Sequence, residues 1–244
     1  MKKGLYLIAF AVAMLTASTA SAQDKYLFDH VALGTEVGTT GWGFELAAPC
    51  TRHVTFRAGF TSMPHFSMSG NVKYNSHGIR EEVKVKGTLH MFDWKVLADI
   101  YPAKNLSFHF TTGFILGLPK LVKAKNLGEI KGLDPGEGLE IGDVFVRPDD
   151  NGLARVDLEV ATFKPYVGIG FGRAVSKHRL NFTCDMGVEF WGKPKVKAFS
   201  PVENQWVQVH PNDDNGDNFN KALKNISKWN VWPVLNFHLY YRIF

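Results

Sequence analysis

The stretch WNVWPVLNFHLYYRIF at residues 229–244 alternates apolar and polar side chains and ends in Phe. Successive side chains of a β-strand point to opposite faces, so the pattern predicts a strand with one face in lipid and one face toward a polar interior. A soluble sheet that buries one face would give the same pattern. The apolar face carries Val231, Leu235, Phe237, Leu239, Tyr241 and Ile243, and the polar face carries Asn236, His238 and Arg242.

The other end of the chain predicts export. Lys2 and Lys3 precede an uncharged apolar run, Leu5–Leu15, and Ala20-Ser21-Ala22 is a small-residue cleavage site. The run is shorter than the roughly 20 residues that a membrane-spanning helix needs. We therefore expect a cleaved signal peptide at 1–22 and one outer-membrane β-barrel domain at 23–244. Cleavage removes two lysines, which lowers the net charge from +5 to +3.

More alternating segments occur between the two ends. In residues 53–61, Val54, Phe56 and Phe60 share a face opposite Arg57. Segments 105–118 and 163–172 repeat the pattern. No later segment has the 18 or more apolar residues of a helical span. The mature chain is therefore expected to cross a membrane with strands.

The connections between strands alternate in length. Short ones at 49–52, 102–105 and 175–177 alternate with long ones at 63–84, 120–155 and 193–228. Outer-membrane barrels have short periplasmic turns and long external loops. A turn at Gly38–Gly41 separates the strands Val31–Val37 and Trp42–Ala48, which gives eight strands in all. If residues 31–48 formed one bent strand instead, the number of strands would be seven. The sequence thus predicts an all-β fold: an eight-stranded antiparallel transmembrane up-and-down β-barrel with long external loops.

The face predicted to point inward carries opposite charges. An eight-stranded barrel is just wide enough for side chains to fill it, and buried charges are tolerated when paired. We interpret the set as a structural charge network in the lumen; a proton or ion relay through the same residues is the alternative. Its members are Glu45, Arg57, Asp93, Lys95, Asp99, Asp185 and Glu189.

Histidines raise the alternative of a lipid-modifying enzyme. His53, His90, His109 and His238 are candidates for the lumen, and Ser107 shares a face with His109. A hydrolase needs its nucleophile within hydrogen-bond reach of a base, and the sequence has no nucleophile-elbow motif. We assign no catalytic residues and expect no enzyme. The acidic stretch 211–217 lacks the ligand spacing of an EF-hand, so we expect no metal and no cofactor.

Cysteines and aromatics leave alternatives open. Export permits a disulfide between Cys50 and Cys184, but a turn context for the first and an apolar strand face for the second argue against it.

A hairpin turn at 150–152 suggests that strands five and six extend outward as a β-ribbon. Either interfacial girdles or core packing would account for Trp42, Trp94, Tyr101, Trp191, Trp229 and Trp232.

Several segments resemble small outer-membrane β-barrel proteins of Bacteroidota, a mostly uncharacterised OmpA/OmpW-like group. They are GTTGWGFELAAPCTRHVTFRAGF (38–60), DWKVLADIYP (93–102), FHFTTGFILG (108–117) and FKPYVGIGFGRAV (163–175). The resemblance implies a barrel without a particular chemistry.

Function is expected to follow from this setting. We expect a non-enzymatic structural or surface-interaction role in the outer membrane of a Gram-negative bacterium. The resemblance to OmpW implies an alternative, a narrow conduit for small hydrophobic molecules. The expected partners are outer-membrane lipid and lipopolysaccharide, the barrel-assembly machinery during insertion, and a surface ligand at the external loops. Basic and acidic residues are interleaved, so no nucleic-acid partner is expected.

Overall fold

A computed structural model describes residues 30–76, 79–103, 106–127, 139–141, 144–146, 148–149, 152–200, 204–210 and 230–243. The predicted signal peptide, the acidic stretch 211–217, Trp229 and Phe244 lie outside these residues. Within the described ranges, no helix is long and apolar enough to cross a membrane.

The described residues form strands joined by turns. In chain order they are β1 (Ala32–Gly38), β2 (Gly41–Pro49), β3 (Val54–Ser76), β4 (Ile79–Ile100), β5 (Phe108–Gly117), β6 (Lys120–Asn126), β7 (Leu139–Ile141), β8 (Val144–Val146), β9 (Arg155–Glu159), β10 (Phe163–Phe171), β11 (Leu180–Phe190), β12 (Lys195–Ser200), β13 (Gln205–Val209) and β14 (Val231–Arg242).

Eight of these strands close into a ring. The order is β1-β2-β3-β4-β5-β10-β11-β14, every neighbouring pair is antiparallel, and β14 returns to β1 with Thr35 opposite Leu239. Gly38 lies opposite Gly41 in a tight β1–β2 hairpin, and Gly41 has a φ of +100° that favours glycine. This hairpin excludes the single bent strand. The predicted eight-stranded barrel is confirmed.

Side chains alternate between the outside and the inside of the barrel, as the sequence predicts. Outward side chains are apolar and exposed, as for Trp94 (56%), Phe182 (60%) and Met186 (58%). Inward ones such as Arg57 (1%) and Asp99 (1%) are buried and charged. An apolar outside around a polar inside is typical of a barrel that spans a bilayer, and the 9 to 12 residues of β10, β11 and β14 match the length needed.

The long connections contain strands that extend the sheet. β3 and β4 have 23 and 22 residues and continue past the ring, and β6, β9, β12 and β13 join the outer part of β4 in that order. We call residues 66–76 and 79–89 together with these four strands the extension sheet. Segments 63–84, 120–155 and 193–228 are therefore partly regular β-structure, where the sequence predicted loops.

The strands on either side of residues 150–152 do not pair with each other as the predicted β-ribbon requires. Ile141 pairs with Val144 in the separate β7–β8 hairpin, whereas β9 pairs with β6 and β12. Strands five and six do continue outward, because β6 follows β5 and β9 precedes β10. Residues 150 and 151 of the predicted turn lie outside the described residues; beside them, the Gly152 amide donates to the Asp149 carbonyl over 2.8 Å.

An apolar layer covers the barrel interior beneath the extension sheet. Met91, Leu121, Val160 and Trp191 form a buried cluster, and Trp232 stacks on Trp191 with ring centroids 4.7 Å apart. Trp191, Trp232 and the buried Tyr101 thus belong to core packing, whereas Trp42 and Trp94 are exposed on the outside.

Candidate functional site: the charged barrel interior

Arg57 lies at the centre of the barrel interior. It extends inward from β3, because its neighbours Phe56 and Ala58 point outward. One Nη lies 2.6 Å from an oxygen of Asp185, and the other donates to Asp99 over 2.8 Å. Glu45 lies 3.5 Å away and the Tyr240 hydroxyl accepts a bond of 3.2 Å. The guanidinium therefore connects β3 to four other strands of the ring.

Two lysines pair with further acidic residues of the interior. The Lys95 ammonium lies 2.7 Å from a Glu45 oxygen and also donates to Glu36. Lys164 donates to Asp93 over 2.7 Å. All five side chains are buried, so their charges depend on each other for stabilisation.

Two histidines complete the network. His238 Nδ1 lies 2.8 Å from Glu45, and its Nε2 lies 3.1 Å from Asp185. His109 Nε2 lies 3.0 Å from the other Asp185 oxygen. Carboxylate oxygens therefore lie close to both ring nitrogens of His238.

Glycines make room for the large inward side chains. A Cβ at Gly34 would lie 2.4 Å from the Tyr240 ring, and one at Gly187 would lie 2.5 Å from the Tyr166 hydroxyl. A Cβ at Gly170 would lie 2.2 Å from Asp185. The inward glycines and the bulky residues opposite them thus fit together across neighbouring strands.

The interior leaves little open space. A cavity bounded by Lys95, Tyr166, Asp185, Asn236 and His238, among others, has a volume of about 20 Å³. A buried water needs at least about 10–15 Å³. This cavity has room for about one water molecule, and far less than a drug-sized ligand needs.

The structure places the seven residues of the predicted charge network in the barrel interior. Arg57, Glu45, Asp99, Asp185 and Lys95 form one connected group. Asp93 binds Lys164 instead, and Glu189 accepts a 3.0 Å bond from Trp191 Nε1. The sequence prediction omitted Glu36, Lys164 and Tyr240. Strand parity placed these three inward and would have revealed them.

The four candidate histidines separate into two kinds. His109 and His238 are buried in the network. His53 lies at the short-turn end, with its ring 2.9 Å from the Tyr101 carbonyl, and His90 packs against His65 on the outside. His109 approaches the backbone carbonyl of Ser107 at 3.4 Å, not its hydroxyl. This geometry does not assemble the Ser107–His109 pair of the enzyme hypothesis.

One group of residues has the composition of a metal site. Glu36, Glu45 and His238 bring potential ligand atoms within 4.8 Å of one another. Lys95 already binds both carboxylates, so its ammonium supplies the positive charge. The site is better described as an ion-pair cluster. Cys50 and Cys184 are both free thiols.

Comparison with known proteins supports the fold. CarO2 of Acinetobacter baumannii has a TM-score of 0.50 and 19% identity, over 87% of this chain and 98% of that chain. CarO from the same organism has a TM-score of 0.48 and 16% identity, over 86% of this chain and 96% of that chain. A major outer membrane protein of Thermus thermophilus has a TM-score of 0.37 and 12% identity, over 88% of this chain and 98% of that chain. No protein-family model matches the chain, and no curated protein matches it in sequence. The likeness to CarO2 extends to the fold alone.

Proposed function

We propose that this chain is a non-enzymatic outer-membrane β-barrel protein of a Gram-negative bacterium, in which a filled barrel anchors the extension sheet at the cell surface. The barrel is the structural part, and the extension sheet is the part that meets molecules outside the cell. The barrel-assembly machinery would insert it. The narrower assignment to the OmpA/OmpW-like group of Bacteroidota belongs to this proposal and rests on the sequence resemblance.

The filled interior is the observation that carries the proposal. Arg57 on β3 joins Asp99 on β4 to Asp185 across the lumen on β11, and Lys95 on β4 reaches Glu45 on β2. The cavity beside them holds about one water. A conduit for small hydrophobic molecules needs an apolar passage. Here a polar, paired interior lies beneath an apolar layer with Trp191 and Trp232, which favours an anchor over a conduit.

The placement in the outer membrane has separate support. Transmembrane barrels carry an outward apolar band, short periplasmic turns and longer external segments. This barrel has the apolar band, and its short β2–β3, β4–β5 and β10–β11 connections lie at the end opposite the extension sheet. The extension sheet is therefore expected to face the outside of the cell.

A cysteine-labelling experiment tests this orientation. In a Cys50→Ser/Cys184→Ser background, Met68→Cys places a thiol at a position of β3 in the extension sheet where the native side chain is 68% exposed. Arg52→Cys places one at an exposed position of the β2–β3 turn. A membrane-impermeant maleimide should label Met68→Cys on intact cells and Arg52→Cys only after the outer membrane is permeabilised.

Two results would reject the proposal. Labelling of Arg52→Cys but not Met68→Cys on intact cells would place the extension sheet in the periplasm. Recovery of the unlabelled protein in the soluble periplasmic fraction would remove the membrane anchor altogether.

A further inference from the structure

The extension sheet has one strongly basic face. Directly opposite residues of antiparallel strands share a face: Lys86 lies opposite Lys125, and Lys125 lies opposite Arg155. Lys123 lies opposite Asp157, which in turn lies opposite Lys197. The register therefore gathers lysines from three strands, β4, β6 and β12, on one surface, here named the basic face.

This face continues the lipid-facing side of the barrel. Trp94 and Val96 point outward on β4, and counting back by twos along the regular part of this strand reaches Lys86 and Lys84. Along β4 the outward positions thus pass from the apolar exterior through His90 and Thr88 to these lysines. With the barrel in the outer membrane, as proposed, the basic face lies on the outer side of the wall, just outside the apolar band.

The acidic side chains that the structure describes on or near the basic face are already engaged. Lys120 binds Asp157 at 2.6 Å and Lys197 binds Glu159 at 2.7 Å. Arg155 binds Asp149 at 2.9 Å. The lysines that remain have no acidic partner among the side chains that the structure describes, which on β4 begin at Val83: Lys84, Lys86, Lys123, Lys125 and Lys195.

The cross-strand pairs supply an independent argument for an anionic ligand. Like charges directly opposite each other destabilise a sheet, and Lys86, Lys125 and Arg155 form such a row across β4, β6 and β9. Trp206 adds an aromatic ring at one edge, with the Lys120 ammonium 4.3 Å from the ring centre. A bound polyanion would relieve the repulsion along the row.

We propose that the basic face binds the phosphate groups of lipopolysaccharide in the outer leaflet around the barrel. This inference rests on the proposed outer-membrane location, which places phosphorylated glycolipid headgroups beside these lysines. Several lysines arranged along strands that rise from the membrane match phosphates at successive heights. The interaction would fix the extension sheet against the surrounding lipid.

Binding to purified lipopolysaccharide tests the site. The native protein, refolded in detergent, is titrated with phosphorylated rough-type lipopolysaccharide and with the same material after chemical removal of its phosphates. We expect saturable binding to the first, weakened by added salt, and much weaker binding to the second. Lys86→Gln/Lys123→Gln/Lys125→Gln should lower the affinity about 100-fold, because each lysine near an anionic surface contributes roughly fivefold in affinity.

A control variant carries the same change in charge at the other end of the barrel. Arg52→Gln/Lys177→Gln/Arg179→Gln removes three exposed cations near the short turns and should bind like the native protein. Equal loss in both variants would mean a net-charge effect and would overturn the proposal. So would unchanged affinity of the lysine variant, or equal binding of dephosphorylated lipopolysaccharide. Heat-dependent gel migration verifies that each variant retains its barrel.

This measurement is separable from the test of the proposed function. The titration uses purified protein and does not depend on where the chain lies in the cell. Failed surface labelling with intact phosphate-dependent binding would reject the location alone. Successful labelling without such binding would reject the lipopolysaccharide site alone.

Discussion

Arg57 is the residue on which the interior charge network depends most. It faces Asp185 at 2.6 Å and Asp99 at 2.8 Å, and all three are buried. Removing one member of a buried ion pair leaves an uncompensated charge and costs about 3–5 kcal/mol. We expect Arg57→Ala to lower the free energy of unfolding by that amount, measured by urea unfolding in lipid vesicles.

Arg155 provides the matched control for this prediction. Its ion pair with Asp149 has a similar length, 2.9 Å, but the Arg155 side chain is 51% exposed. Exposed pairs contribute about 0–1 kcal/mol, so Arg155→Ala should have little effect. If both alanine variants lose the same stability, the interior network does not stabilise the barrel as described.

Gly34 tests the tight fit between small and large inward residues. A methyl group there would lie 2.4 Å from the ring of Tyr240, a side chain with no exposed surface. Overpacking of this kind costs about 1–3 kcal/mol, which is the loss expected for Gly34→Ala in the same unfolding assay. Gly70→Ala is the control, since nothing lies within 4 Å of the added carbon; a similar loss there would contradict the packing argument.

Individual interior residues can be predicted from strand parity. Arg57, Asp99 and Asp185 are expected to point inward, because apolar and polar residues alternate along their strands. Partners across the lumen come from strands distant in sequence, such as Arg57 and Tyr240, whose bond spans 183 residues. Such pairings depend on how the ring closes and on the register of every hairpin, which alternation alone does not define.

At the scale of single strands, β11 should behave as a membrane-spanning element. Met186 lies near its middle and is 58% exposed on the apolar side. An arginine facing lipid at the bilayer midplane costs about 2–4 kcal/mol, so we expect Met186→Arg to destabilise the protein by this amount in vesicles.

The extension sheet offers the comparison for this strand. Gln208 is an exposed residue of β13, beyond the apolar exterior. Gln208→Arg should change the free energy of unfolding by no more than about 0.5 kcal/mol, as for an ordinary surface position. An equally small effect of Met186→Arg would indicate that β11 faces water.

The strands of the extension sheet were harder to predict than those of the barrel. Segments such as VKVKG at 83–87 and LVKAKN at 121–126 do alternate, but they lie in long connections, which in outer-membrane barrels are usually external loops. The sheet order β13-β12-β9-β6-β4 joins segments from three different connections. Non-local pairing of this kind is not encoded in any one segment.

The whole molecule has two parts whose surfaces suit different surroundings. The ring of eight strands exposes apolar side chains around a charged interior, and the extension sheet presents lysines above it. The sequence predicted the first part through alternation and connection lengths. It indicated a mild positive charge but not that the lysines of β4, β6 and β12 would share one face, because that depends on the register between them.

Conductance of the purified native protein in planar lipid bilayers tests the central claim most directly. The claim is that the closed barrel is filled by its own side chains, with a cavity of about 20 Å³ beside Lys95 and Asp185. The account predicts insertion, verified by heat-dependent gel migration of the recovered protein, without stable open channels. Long-lived conductance steps of a water-filled pore in most insertions would contradict it.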